Sequence, residues 1–337
     1  MSPPLVLSFK YNLLLNSIFV KFAFYYIIMI MNAQKNHIID RILSATKCER
    51  CCIPVGYPGV SFSRDGDKYL CEECQRLLNN EPDRASIKQE ALHIIDSIKN
   101  SGEFYDAIFA YSGGRDSTTA LYSVVKEYGL RVLVFNYDNG FKGRQVKNNI
   151  HSVISDLGTD FYQIKSTTSH TIAEDIANNI LPCGRCSALK HLYPRIASLF
   201  NVKYIITGIE CLFNNEAIRN RGSFFQINWP AALNWSKDEI NERIKCLPWK
   251  DPEYGLFDSD CLCPNIAIEK FYCNGKNTNF DMYMGVLEQH IVPYYARLVR
   301  FGAISKEDFF KIICGDLTTR NSVKREYNNI VSIISRS

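Results

Sequence analysis

The sequence predicts an α/β protein built on a doubly wound parallel sheet. Three observations carry that expectation. Four short apolar runs, Ala107 to Tyr111, Val132 to Tyr137, Phe161 to Ile164 and Tyr204 to Gly208, read as buried strands. Segments with helical spacing of apolar residues, at 146–157, 170–180 and 186–199, lie between them. Strands that alternate with helices pair in parallel, because each crossover needs a dozen or more residues. In such sheets ligands bind beyond the carboxyl ends of the strands. That rule places the residues after the first, second and fourth runs on one edge. The composition agrees: 337 residues with 46% hydrophobic and 22% charged side chains is globular, long enough for two domains or one large domain with appendages. Neither an internal repeat nor a low-complexity segment is present. A net charge of +4 decides neither for nor against nucleic acid.

The first run is followed by Ser112-Gly113-Gly114-Arg115-Asp116-Ser117, and then Ala120, Leu121, Val124 and Val125 recur at helical spacing. Two glycines between a strand and a helix permit a sharp turn and leave amide N–H groups uncovered. Those donors lie at a helix N-terminus, where the dipole also favours an anion. Ser112 and Ser117 add hydroxyls, and Arg115 adds a fork suited to phosphate oxygens. The stretch is therefore a phosphate cradle, with an ordinary glycine-rich turn as the bland alternative. It has neither the G-x-x-x-x-G-K-[ST] of a Walker loop nor the G-x-G-x-x-G of a dinucleotide fingerprint. Asp138, after the second run, and Asp116 suit the magnesium that accompanies a nucleoside triphosphate. Asp138 suits equally a turn-forming role before Asn139-Gly140, and Asp116 a first-turn acid on the helix dipole. Gly208 falls on the same edge.

In this strand–turn–helix context SGGRDS resembles the S-G-G-x-D-S signature of the PP-loop ATP pyrophosphatase superfamily, whose fold is adenine nucleotide alpha hydrolase-like. The resemblance implies an enzyme that binds ATP and magnesium and cleaves ATP between the α and β phosphates. AMP goes to a substrate oxygen and pyrophosphate leaves. Many members carry a histidine soon after the fourth strand; Gly208-Ile209-Glu210 stands there instead.

Thirteen cysteines, six of them in three C-x-x-C pairs, suggest metal rather than disulfides. Cys48, Cys51, Cys71 and Cys74 form C-x₂-C-x₁₉-C-x₂-C, the spacing of a closed, structural zinc shell, with a turn-rich loop between the pairs. Cys52 is an adjacent spare. A second constellation begins with Cys183 and Cys186, before a helix containing Lys190 and His191, and Cys261 and Cys263 follow in a polar loop. Three thiolates on a [4Fe–4S] cluster would leave one iron open to sulfide or substrate. This layout resembles the sulfur-inserting tRNA thiolases of the superfamily, where a C-x-x-C after the third strand joins a later cysteine around such a cluster. By position Cys183 and Cys186 match the pair, and Cys261, ahead of Cys263, the third ligand. Asp116, Cys183 and Cys186 are then the expected catalytic residues. A thiolase variant with one persulfide and one resolving cysteine, a second zinc site with His191, and inert buried thiols are the alternatives.

Both ends of the chain are similar to another group, the N-acetyl sugar amidotransferases. The matching segments are CERCCIPVGYPGVSFSRDGDKYLCEEC, FNYDNGF at 135–141 and RLVRFGAISKEDFF at 297–310. That likeness implies replacement of an acetamido oxygen by ammonia from a partner glutaminase. A third reading is a non-catalytic ATP-binding zinc protein.

Asn12 to Met31 is almost wholly apolar, with Lys21 inside it. Its length fits a membrane span, the lysine argues against one, and no small-residue cleavage site follows. The expectation is that translation starts at Met29 or Met31. The expected organisation is an apolar extension (1–31), a zinc-ribbon-like knuckle (32–80), a nucleotide-binding domain (81–227) and a helical C-terminal substrate lobe (228–337). In that lobe Trp229, Trp235 and Trp249 with Lys237, Arg243, Lys245 and Lys250 suit stacking on nucleic acid, or simply core and solvated surface. The residues from Thr318 onward carry no signal. The expected protein is a cytoplasmic homodimer. Its partners are ATP, an acceptor that is a tRNA, sugar nucleotide or small metabolite, and a sulfur carrier or glutaminase.

Overall fold

The computed structural model describes residues 43–57, 59–79, 83–101, 104–166, 168–178, 180, 186, 189–210, 217–252, 261–264, 266, 292–314 and 320–336. The chain divides into two compact units, 1–46 and 47–337. The apolar stretch 12–31, Cys183 and the side chain of Lys190 lie outside what is described.

The second unit opens with an antiparallel hairpin, β1 (Phe62–Asp65) and β2 (Lys68–Cys71), closed by the Gly66 turn. Helices α1 (Glu72–Asn79) and α2 (Arg84–Ile98) follow, the second capped by the Asp83 carboxylate on the Ala85 and Ser86 amides. The sheet then begins with β3 (Ala107–Ala110), α3 (Arg115–Tyr122), a wide π turn at Ser123–Glu127, and β4 (Val132–Asp138). Next come α4 (Arg144–Leu157), β5 (Phe161–Lys165), α5 (Ser169–Ala177), α6 (Leu189–Leu199) and β6 (Tyr204–Thr207).

The six-stranded sheet has the order β5-β4-β3-β6-β8-β7, where β7 is Ile218–Asn220 and β8 is Phe225–Asn228. All neighbours are parallel except β7, an antiparallel edge. The chain winds outward from β3 through β4 to β5, then returns to the other side of β3 with β6. The winding therefore reverses between β3 and β6, and a crevice opens at their carboxyl ends.

Both sheet faces are covered, as the unbroken apolar strands require. Successive β3 residues point to opposite faces, so Phe109 packs with α2, α3 and α4 while Ile108 packs with Ile196 and Ala197 of α6. Short helices α7 (Trp229–Ala232) and α8 (Lys237–Ile244) close the first face. Trp229 is fully buried there and Trp235 nearly so, with Arg243 over the Trp235 ring. Burial of each such side chain stabilises by on the order of 2–3 kcal/mol. These two tryptophans are core, the second of the two roles that the sequence allows them.

Three further helices follow: α9 (Val292–Arg300), α10 (Lys306–Cys314) and α11 (Asn321–Ile334). The last corrects the reading of a tail without signal. Val323, Tyr327 and Ile334 recur on one buried stripe, and Tyr327 stacks on Phe141 at 5.5 Å. Among the described residues no helix is long and apolar enough to cross a membrane.

Candidate functional site

The 112–117 turn sits between β3 and α3, at the point where the winding reverses. Gly113 has φ +93°, and a Cβ there would lie 2.7 Å from Ile150 of α4. Only glycine meets both demands. The Ser112 and Ser117 hydroxyls are 2.7 Å apart, and Ser117 and Thr118 bond the Gly114 carbonyl. Trp249 donates its indole N–H to the Gly113 carbonyl at 3.1 Å, so this tryptophan braces the turn. Gly208, just past β6, passes so close to α3 that a Cβ would fall 2.3 Å from Ser117 Cα. Beside this crossing is a cavity of about 380 Å³, lined by Ser112, Gly114, Arg115, Asp116 and Gly208, with Tyr193 among the walls. The expected cradle residues 112–117 and Gly208 thus come together.

Behind the cavity lies a charge cluster that the sequence did not announce. Lys237, the first residue of α8, reaches Asp116 at 2.9 Å and also pairs with Glu210. Tyr294 of α9 donates its hydroxyl to the other Glu210 oxygen at 3.1 Å. Burial pushes the Glu210 carboxyl up, the Asp116 charge adds to it, and the group stands at about 7 against the pull of Lys237. For Asp116 burial also acts upward, but Lys237, the Glu210 hydrogen bond and Arg115 more than reverse it, so its carboxyl is held low. Asp138 is placed differently: its Oδ1 accepts the Gly140 N–H at 2.9 Å, the turn-forming arrangement.

A second cluster sits on the loop after β4. The Asn139 amide donates to Cys186 Sγ at 3.4 Å and to Cys261 Sγ at 3.2 Å. Cys263 Sγ is 2.8 Å from Cys261 Sγ. Residues that stand 75 and 77 positions after Cys186 therefore reach the same corner. The Cys263 contact, opposed by burial, holds the Cys261 thiol low, whereas burial raises Cys186. Burial, and then the two cysteines, push the neighbouring Tyr327 up to about 12. Lys142 ties this corner to the cradle. Its backbone bridges Cys261, and its buried ammonium donates to the Ser112 carbonyl at 2.7 Å.

The four-cysteine group is assembled as its spacing predicts. Cys48, Cys51, Cys71 and Cys74 are all buried, with sulfurs within 4.8 Å of one another; Cys52 stands outside the group. Cys51 and Cys71 Sγ are 3.6 Å apart, close to the ~3.8 Å edge of a tetrahedron of thiolates around zinc at ~2.3 Å. The Cys71 amide donates to Cys48 Sγ at 3.4 Å. Arg300 of α9 donates to Cys74 at 3.3 Å, Cys51 at 3.6 Å and Cys71 at 3.7 Å. The donor set, its spacing and its cationic cover fit a thiophilic metal.

An uncharacterised protein of Methanocaldococcus jannaschii, MJ1599, is 30% identical to the chain over 243 residues, 71% of this chain and 83% of that protein. The chain belongs to the family of that archaeal protein. No protein-family model matches it. Among solved structures, the U34-tRNA thiolase NcsA from Methanococcus maripaludis with its [4Fe–4S] cluster aligns at 15% identity and a TM-score of 0.36. That alignment covers 81% of this chain and 93% of that one. The FMN adenylyltransferase of Candida glabrata in complex with ATP aligns at 17% identity and 0.30, covering 48% and 55%. Both likenesses are loose.

Proposed function

We propose that the chain is a PP-loop enzyme that uses ATP to adenylate a substrate carbonyl or amide oxygen and then replaces that oxygen with sulfur. The observation that carries the first half is the glycine crossing. Gly113 lets the turn bend tightly against Ile150, and Gly208 lets the end of β6 close on Ser117, which leaves a cavity walled by Ser112, Gly114 and Ser117 where backbone amides and hydroxyls suit a triphosphate. Trp249 and Lys142 hold the Gly113 and Ser112 carbonyls away from the anion by engaging them as acceptors. Arg115 offsets developing phosphate charge, and Asp116, held ionised, offers an oxygen to magnesium. Attack by the substrate oxygen at the α-phosphorus expels pyrophosphate and converts a poor leaving oxide into AMP. Placement and charge neutralisation supply most of the acceleration.

The sulfur half is supported by the corner where Cys186, Cys261 and Cys263 gather around Asn139, one residue length of lysine from the cradle. Cys183 completes the set by sequence. Three of them, Cys183, Cys186 and Cys261, suit a [4Fe–4S] cluster, which when bound would supply one iron able to hold sulfide, with Cys263 beside it outside the ligand set. Asn139 orients two of the sulfurs, and Lys142 places positive charge beside them. Zinc on Cys48, Cys51, Cys71 and Cys74 is structural in this reading.

A screen for pyrophosphate release with ATP and magnesium, across tRNA, sugar nucleotides and small amides, tests the adenylation. Release with one acceptor class, lost in Asp116→Ala, is expected. Parent-like turnover in Asp116→Ala or Gly113→Val would refute it. Anaerobic purification with iron and labile-sulfide analysis tests the sulfur half, which fails if iron is absent and Cys186→Ser remains fully active.

A further inference from the structure

Helix α9 touches two centres that its sequence does not suggest it should join. Arg300 lies at its end, with its guanidinium on three of the four knuckle sulfurs. Tyr294 lies six residues earlier, about 9 Å along the axis, with its hydroxyl on Glu210. Glu210 in turn shares Lys237 with Asp116, the acid that lines the cavity. The turn after α9 also takes part, because the Lys237 N–H donates to the Ala303 carbonyl at 3.4 Å.

We propose that Tyr294 and Arg300 are positioning residues, through which the four-cysteine centre sets the Glu210–Lys237–Asp116 cluster behind the nucleotide cavity. The argument is electrostatic and geometric. A divalent metal with four thiolates carries a net charge of −2, and Arg300 is the cation laid against it. Charge-assisted bonds of this kind are about twice as strong as neutral ones. Thiols without a metal are weak acceptors at neutral pH, so Arg300 then loses its anion and α9 its anchor. At the other end the Tyr294 hydroxyl holds one Glu210 oxygen while Lys237 holds the other. Glu210 and Asp116 compete for one ammonium, so any movement of Glu210 alters how firmly Lys237 holds Asp116. A helix of nine residues transmits such a shift much as a rigid rod, because its i→i−4 hydrogen bonds resist bending along the axis. The proposal rests on the reading that this cavity takes ATP.

The test uses the full chain, loaded with zinc and verified for metal content, with α,β-methylene-ATP and magnesium as the titrant. Expected are five- to tenfold weaker binding in Arg300→Met and in Tyr294→Phe. The double variant should be no weaker than the worse single one, because both cut the same connection. Zinc-stripped parent should match Arg300→Met, and Arg300→Lys should recover part of the loss. Parent-like affinity in zinc-retaining Arg300→Met, or fold-changes that simply multiply in the double variant, would overturn the proposal. Hydrogen exchange over 204–210 reads the same connection without nucleotide. Zinc should slow exchange there in the parent and not in Tyr294→Phe. Equal exchange with and without zinc overturns the inference even if the parent binds nucleotide. A parent that binds none, yet shows the zinc-dependent protection, overturns only the reading of the cavity.

Discussion

Replacing Gly208 by alanine adds a single methyl group, and the structure says where it goes. The new Cβ would stand 2.3 Å from Ser117 Cα, 2.7 Å from Ser117 Cβ and 2.7 Å from Ser117 N. Ordinary contact for such atoms is about 3.5–4.0 Å, so β6 and α3 must part by roughly 1 Å or more. Two of the three obstructing atoms are backbone, so no rotamer change relieves the clash. Overpacking of this type costs ~1–3 kcal/mol, which for a chain of this size lowers Tm by roughly 1–4 °C. The larger effect falls on the cavity, since Ser117 belongs to the cradle. A 1 Å misplacement of a binding or catalytic group costs about a hundredfold. Calorimetric titration with α,β-methylene-ATP, beside a thermal melt, reads both quantities. Gly208→Ala with parent Tm and parent affinity would refute the close crossing and the cradle together. A lowered Tm with parent affinity would refute the cradle alone.

Asn139→Leu keeps the branched outline of the side chain and removes the amide from Cys186 and Cys261. Metal affinity at that corner should drop about ten- to a hundredfold, measured by chelator competition on anaerobically reconstituted protein. Cys71→Ser should abolish stoichiometric zinc binding and open the 47–79 segment to protease, followed by metal analysis and limited proteolysis. The carboxyl of Glu210 stands at about 7, above its ordinary value of 4.5, so the folded chain holds that proton more tightly than the unfolded one. Its contribution to stability is complete below pH 4.5 and is lost as the pH rises through 7. Glu210→Gln should therefore gain on the parent by several degrees of Tm between pH 5 and 8; parallel Tm curves would contradict the assignment.

The central parallel strands β3, β4 and β6 were legible because each is largely buried and reads as a continuous apolar run. Ala107–Ala110 and Val132–Asp138 begin where the run does, within a residue of expectation at their ends. The β7–β8 hairpin was not legible. Ile218–Asn220 is a three-residue, partly exposed edge, too short to show a period. The 112–117 cradle and the four knuckle cysteines announce themselves through local spacing. The cluster of Lys237, Glu210 and Tyr294 does not, since its members meet only through the packing of α8 and α9 against the sheet. Lys237 follows a readable Ser236–Glu239 capping box, yet nothing nearby indicates that its ammonium reaches Asp116, 121 positions away. Asn139 was read only as part of the turn that follows Asp138. Its role as a donor to two sulfurs depends on Cys261, 122 residues later.

Lys142 has a backbone that belongs to one neighbourhood and a side chain that belongs to another. Its main chain is stitched to the strand-like residue Cys261, while its ammonium clasps the carbonyl of Ser112. The span between the thiols and the 112–117 turn is thus set by the reach of one lysine side chain rather than by the long stretches of chain that separate these parts in sequence. Swelling or oxidation at the sulfur corner would tug directly on the turn.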